Sequence, residues 1–126
     1  MVPKPLPALS PAETEVVRIV WQLGRGTVQQ VLDALPAGRR IAYATVQTLL
    51  RRLEAKGYVR HERQGKAHVF HPAVRQEEVI SRTVGDFVNR LFDGDPVPLL
   101  LHLADRAELS DEDVRRLREF IDKGKH

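Results

Sequence analysis

The stretch from Tyr43 to Ala55, YATVQTLLRRLEA, carries two different surfaces. Val46, Leu49, Leu50 and Leu53 recur at i, i+3, i+4 and i+7, the spacing of a helix with one face buried. The opposite face is centred on Ala44, Thr48, Arg51 and Ala55, with Thr45 and Arg52 on one flank and Tyr43 and Gln47 on the other. A face meant only for water is ordinarily filled with Glu and Lys. Here small residues allow close approach, hydroxyls and an amide offer directional hydrogen bonds, and guanidinium groups match phosphate oxygens or guanine O6 and N7. The pattern suits recognition of duplex bases. Tyr43, Thr45 and Thr48 can donate to phosphates or base edges, and Gln47 can pair with adenine. Arg51 is centred for close approach, whereas Arg52 on the flank is placed for a phosphate. The plainer alternative is that Tyr43 packs against its neighbours and Gln47 is solvated.

Such a helix needs a frame, and the flanking sequence supplies one. Ser10, Pro11 and Glu13 predict a helix start with a capping box, followed by a stripe of Val16, Ile19, Val20 and Leu23 that ends at Gly24. A second, short helix is predicted from about Thr27, with Val28, Val31, Leu32 and Leu35 inward and Pro36 as its stop. The reading helix then runs from about Ala42 to Lys56 and ends at Gly57. Beyond it, YVRHERQGKAHVFHP places Gln64-Gly65-Lys66 between two runs of strand character closed by Pro72. This predicts a hairpin whose tip exposes Arg63, Gln64 and Lys66. Arg63 and Lys66 are expected to hold the backbone of a nucleic acid without reading sequence. Three helices followed by a basic hairpin is the order of a winged helix-turn-helix, in which the third helix enters the major groove.

Charge agrees when the chain is divided. Residues 1–72 carry eleven Lys and Arg against five Asp and Glu, a net of +6, whereas residues 73–126 carry nine against twelve, a net of −3. A basic, nucleic-acid-binding part joined to a part with another task has this asymmetry. Cysteine is absent, so disulfides, Cys-ligated zinc and a cysteine nucleophile are excluded. No apolar run is long enough for a membrane span, and the start MVPKPLPALSP holds four prolines where a signal peptide needs an apolar core. The expected location is the cytoplasm, without membrane insertion.

The second half predicts helices of another kind. Ile80, Val84, Phe87, Val88 and Leu91 form a stripe over residues 76–92, broken by DGDP. VPLLLHLA follows, and a last helix opens at Ser110 with Val114, Leu117, Phe120 and Ile121 expected inward. So apolar a three-helix unit cannot bury its leucines alone. Exchange with a twin chain is the economical solution, and it sets two reading helices one DNA turn apart, roughly 34 Å. Ile80, Val84, Phe87, Val88, Leu91, Leu100, Leu103, Leu117, Phe120 and Ile121 are the expected dimerisation residues. Folding back on the first domain as a monomer is the alternative. The expected organisation is a flexible segment 1–8, a winged helix-turn-helix DNA-binding domain 9–72 and a helical dimerisation domain 73–126, mainly α with a small β-hairpin wing.

In this order, LSPAETEVVRIVW, TVQQVLDAL, AYATVQTLLRRLEAKGYV, GKAHVFHP and LSDEDVRRLREFID resemble the penicillinase-repressor family of BlaI and MecI, bacterial winged-helix transcription factors. The resemblance spans Leu9 to about Lys123. It implies a homodimeric repressor on a palindromic operator, control of β-lactam resistance genes, and release through cleavage after a membrane-bound sensor metalloprotease detects antibiotic. Family repressors are cut at an Asn-Phe pair before the last helix, and the matching place here is His102-Leu103. That departure leaves open cleavage with another specificity, a small ligand, or control by expression alone. Copper-responsive relatives use a Cys-rich tail, which a chain without cysteine does not share.

Other signals are weaker. His61, His68 and His71 suggest a metal site, yet strand neighbours alternate faces and no further ligand is obvious, so no metal and no cofactor is expected. The acids of SDED suit a helix N-terminus better than a catalytic pair. Neither a Gly-rich phosphate loop nor a Ser/His/Asp constellation occurs, and an enzyme is not expected. A winged-helix protein-interaction module without sequence-specific DNA binding is the alternative function, but a docking helix exposes apolar anchors in place of Thr, Gln and Arg. RNA binding favours exposed aromatics on the sheet, and only Phe70 is available for that.

Overall fold

A computed structural model describes residues 6–106 and 109–124 of the chain. Helix α1 (Pro11–Leu23) opens with the expected box: Ser10 Oγ accepts from the Glu13 N–H at 3.1 Å, and Glu13 Oε1 accepts from the Ser10 N–H at 2.8 Å. A two-residue strand β1 (Gly26–Thr27) leads into α2 (Val28–Asp33). This helix carries a second box, in which Thr27 Oγ1 accepts from the Gln30 N–H at 3.1 Å and Gln30 Oε1 from the Thr27 N–H at 2.9 Å. Helix α3 (Tyr43–Lys56) ends at Gly57, whose φ of 95° is left-handed and where a Cβ would meet Leu6 Cδ2 at 3.1 Å. Both the backbone and the neighbour select glycine there.

Strands β2 (Val59–Gln64) and β3 (Ala67–Pro72) form the expected hairpin, in register from Val59 opposite Pro72 to Gln64 opposite Ala67. The sheet has a third member. β1 pairs with the other edge of β3, Gly26 opposite Phe70 and Thr27 opposite Val69, giving an antiparallel order β1-β3-β2. The base of the wing is therefore held on both sides of β3.

Apolar residues of all these elements meet in one core. Val16, Val17 and Val20 of α1, Val31 of α2, Val46, Leu50 and Leu53 of α3 and Val59 of β2 are fully buried. Each such side chain contributes roughly 1.5–3 kcal/mol on leaving water, so α3 is fixed by its inner stripe alone. Polar ties close the edge. The Lys56 ammonium donates to Glu13 Oε1 at 2.5 Å and to the Ala8 carbonyl at 2.8 Å, and the Tyr58 hydroxyl donates to the Pro7 carbonyl at 2.6 Å. Of the segment expected to be flexible, Leu6–Ala8 are thus tied down, Leu6 packing on the core; residues 1–5 lie outside the described residues.

The chain divides into two compact units, the first reaching Ile80 and the second starting at Ser81. The first runs past the expected boundary at Pro72, because Ala73 donates its N–H to the Tyr58 carbonyl at 2.9 Å, Trp21 Nε1 donates to the Val74 carbonyl at 3.0 Å, and Val74 and Val79 pack on the core. The start of α4 (Gln76–Phe92) therefore belongs with the winged part. The second unit holds the rest of α4, α5 (Pro96–Arg106) and α6 (Asp111–Lys123), the last opened by a capping box of Ser110 and Asp113. Its stripes are present but uncovered. Among its described residues only Val88 is a buried hydrophobic residue, whereas Ile80 at the boundary and Val84, Phe87, Leu91, Leu100 and Leu103 are exposed. Val114, Leu117, Phe120 and Ile121, expected inward, are also exposed, Phe120 at 76 %. Within the unit's described residues nothing covers these stripes.

Candidate nucleic-acid interface

With its aliphatic stripe in the core, α3 turns Tyr43, Ala44, Thr45, Thr48, Arg51 and Arg52 to solvent, with Gln47 half-buried. The helix starts without a side-chain cap at Ala42, so its first turn stays open. Thr48 differs from expectation in one respect. Its Oγ1 donates to the Ala44 carbonyl at 3.0 Å, leaving its methyl group and acceptor lone pairs for a partner.

The hairpin's core face changes chemistry along its length. Val59 and Phe70 are buried, His61 and His68 come next, and Arg63 lies beyond them, a progression set by the pairs Val59/Pro72, His61/Phe70 and Arg63/His68. Between this face and α3 runs a cleft of about 430 Å³. One wall carries Tyr43, Gln47, Arg51 and Glu54 at helical spacing, and the other carries His61, Lys66 and His68. Among the described residues no ion pair or side-chain hydrogen bond engages Arg51, Arg52, Arg63 or Lys66. Such cations are available to an external anion. Arg39, by contrast, is occupied: its Nε donates to both oxygens of Glu15 at 3.0 and 2.9 Å, fastening the loop before α3 onto α1. The Arg39 guanidinium in turn holds the Glu15 carboxyl below its usual range.

Of the residues singled out in sequence, the structure brings Tyr43, Gln47, Arg51 and Lys66 to one cleft, with Arg52 and Arg63 outside its lining, and the cleft has a lower half that sequence reasoning misses. Glu54, His61 and His68 also line it, and their positions carry a faint signal: Glu54 lies three residues after Arg51 and His61 two before Arg63. The alternation argument that separates the histidines fails for one pair, since His61 and His68 share a face with ring centroids 4.6 Å apart. Nor are the histidines without carboxylates: Glu54 contacts His61 at 2.7 Å and Glu62 lies 3.7 Å from His71. Among the described residues no group of three or more such side chains is arranged to hold a metal ion. Phe70, the aromatic available for RNA stacking in principle, is 2 % exposed and belongs to the core. No helix among the described residues is long and apolar enough to cross a membrane. His102 and Leu103 lie inside α5, both exposed.

Comparison with known proteins agrees with this geometry. A family model described as penicillinase repressor matches residues 9–123. The penicillinase repressor of Bacillus licheniformis is 27 % identical over 123 residues, covering 98 % of this chain and 96 % of its own. The solved DNA-binding domain of the repressor BlaI superposes with a TM-score of 0.52 at 29 % identity, over 60 % of this chain and 92 % of that one. The Bacillus licheniformis BlaI monomeric form, solved in complex with the blaP half-operator, gives 0.50 at 28 % identity, over 59 % and 90 %.

Proposed function

The chain belongs to the penicillinase repressor family and is a DNA-binding repressor, and from that premise we propose that it acts as a homodimer on a palindromic operator. Helix α3 enters the major groove. Arg51 and Gln47 meet base edges; Tyr43, Thr45, Thr48 and Arg52 meet phosphates or sugars near them, while Ala44 permits the approach. The phosphodiester strand beside the groove passes along the cleft, where Lys66 and Arg63 face it. The observation that carries this reading is the outward face of α3, exposed beside a cleft whose Arg51 and Lys66 have no partner among the described residues. Regulators and not enzymes make up the family.

The exposed stripes of the second unit support the dimer, with Leu100, Leu103, Leu117, Phe120 and Ile121 as members of the joint surface. Symmetric pairing of two chains makes an isologous interface and demands two half-sites of opposite orientation. Relief of repression by a membrane-bound sensor metalloprotease is the family's implied route. At His102-Leu103 it requires α5 to unwind locally, because that pair is helical here. Control of β-lactam resistance genes is the regulatory role this membership supports.

Sizing the purified chain and selecting its preferred duplex from a random pool test the proposal together. A dimer and an inverted repeat with half-sites about one or two helical turns apart are expected. A monomer that selects no common sequence overturns it.

A further inference from the structure

Glu54 is the one acid lining the cleft between α3 and the wing among the described residues, and simple electrostatics sets it against a polyanionic ligand. Its contacts give it another task. Glu54 Oε2 accepts from the main-chain N–H of His61 at 3.1 Å, and its two oxygens lie 2.8 and 2.7 Å from His61 Nδ1. The fork bridges the Gly57 turn from α3 to β2. From there the His61 ring stacks on His68 of β3 at 4.6 Å and sits 5.4 Å from Phe70. Among the described residues no other side-chain hydrogen bond joins α3 to β2 or β3.

We propose that Glu54 is a positioning residue: through His61 it sets the angle of the wing against the reading helix, so that Arg63 and Lys66 meet the duplex backbone while α3 lies in the groove. The core holds the root of the hairpin through Val59 and Phe70 but does not reach its tip. Glu54 braces it one step further out, where the hairpin's core face turns from aliphatic to imidazole. The charged and titratable groups around His61 are Tyr43, Arg51 and Glu54 from α3, and Arg63, Lys66 and His68 from the hairpin; β1 and α2 contribute only Thr27 and Val28 to the cleft. Glu54 is thus the partner that holds the His61 ring in place among these cations.

The inference rests on the reading of α3 as the duplex-reading helix, and its test separates the two. Full-length protein is titrated with a duplex recovered by selection from a random pool. Glu54→Ala is expected to weaken binding about tenfold and to make the log–log salt slope shallower by about 1–2, with base preference at the position read by Arg51 unchanged. A carboxylate that merely sits in the cleft predicts the opposite, since removing a like charge tightens binding to DNA. Should Glu54→Ala not fold, Glu54→Gln keeps the shape and an acceptor for the His61 N–H. It is expected to bind about threefold more weakly than wild type, a partial rescue through the retained acceptor, with base preference at the position read by Arg51 again unchanged. Binding by either variant as tight as or tighter than wild type, or a loss of base preference at the position read by Arg51, overturns the brace. A wild type that binds no selected duplex overturns the reading of α3 itself.

Discussion

The Glu13 carboxylate, 2 % exposed, receives the Lys56 ammonium at 2.5 Å, so the first turn of α1 is locked to the last turn of α3. The same carboxylate also caps Ser10. The Lys56 hydrogen bond, followed by that of the Ser10 N–H, holds the Glu13 carboxyl below its ordinary value of 4.5. A carboxyl with a depressed folded-state pKa binds its proton more readily when unfolded, so its contribution is complete above about pH 4.5 and is lost as pH falls through the lowered value. Glu13→Gln is expected to cost about 2–4 kcal/mol at neutral pH, since it leaves a partly buried ammonium without its counter-charge. Urea unfolding at pH 7 and at pH 3 checks this: the gap to wild type should shrink markedly at the lower pH.

Under the proposed function, reading and positioning are expected to separate along the interface. Arg51→Ala is expected to cost roughly 1–3 kcal/mol on the preferred duplex and to relax base preference at one operator position. Lys66→Ala should weaken all duplexes alike and make the salt slope shallower by about 1 for each phosphate left without its cation. Competition binding against single-position operator variants, repeated across salt, distinguishes the two. Identical profiles would refute the division of roles.

Phe120 and Leu117 lie on the exposed stripe of α6 at 76 % and 50 % exposure. Phe120→Asp should therefore leave the fold of the first unit intact and convert a dimer to a monomer. By sedimentation the wild type should be dimeric at micromolar concentration and the variant monomeric, with half-site binding retained and full-operator affinity reduced at least about 100-fold because the second half-site is no longer engaged by the same particle. A variant that stays dimeric puts the joint surface elsewhere.

The parts legible in sequence are those whose cause is local. Ser10, Pro11 and Glu13 specify the start of α1 within four residues, Ser110 does the same for α6, and the aliphatic stripe of α3 fixes which side faces out. What is not legible depends on pairing across distance. β1 is only Gly26 and Thr27, a strand defined by Val69 and Phe70 some forty residues later, too short for any periodicity. The histidine cluster follows from hairpin register, which places His61 and His68 on one face although seven residues separate them. Phe70 reads as a possible stacking platform until that register turns it into the core. The stripes of α4 and α6 are visible in sequence, but their exposure is not, because periodicity marks an apolar face without saying what lies against it. Half of the cleft stays hidden, because an acid and two imidazoles do not announce a place beside arginines suited to an anion.

Backbone NMR of the full chain titrated with its selected half-operator duplex tests the central claim most directly. The largest amide shifts are predicted at Tyr43 to Arg52 and Arg63 to Lys66, with Val114 to Ile121 of α6 unmoved. Shifts confined to the second unit, with Thr48, Arg51 and Lys66 unchanged at saturation, would contradict it.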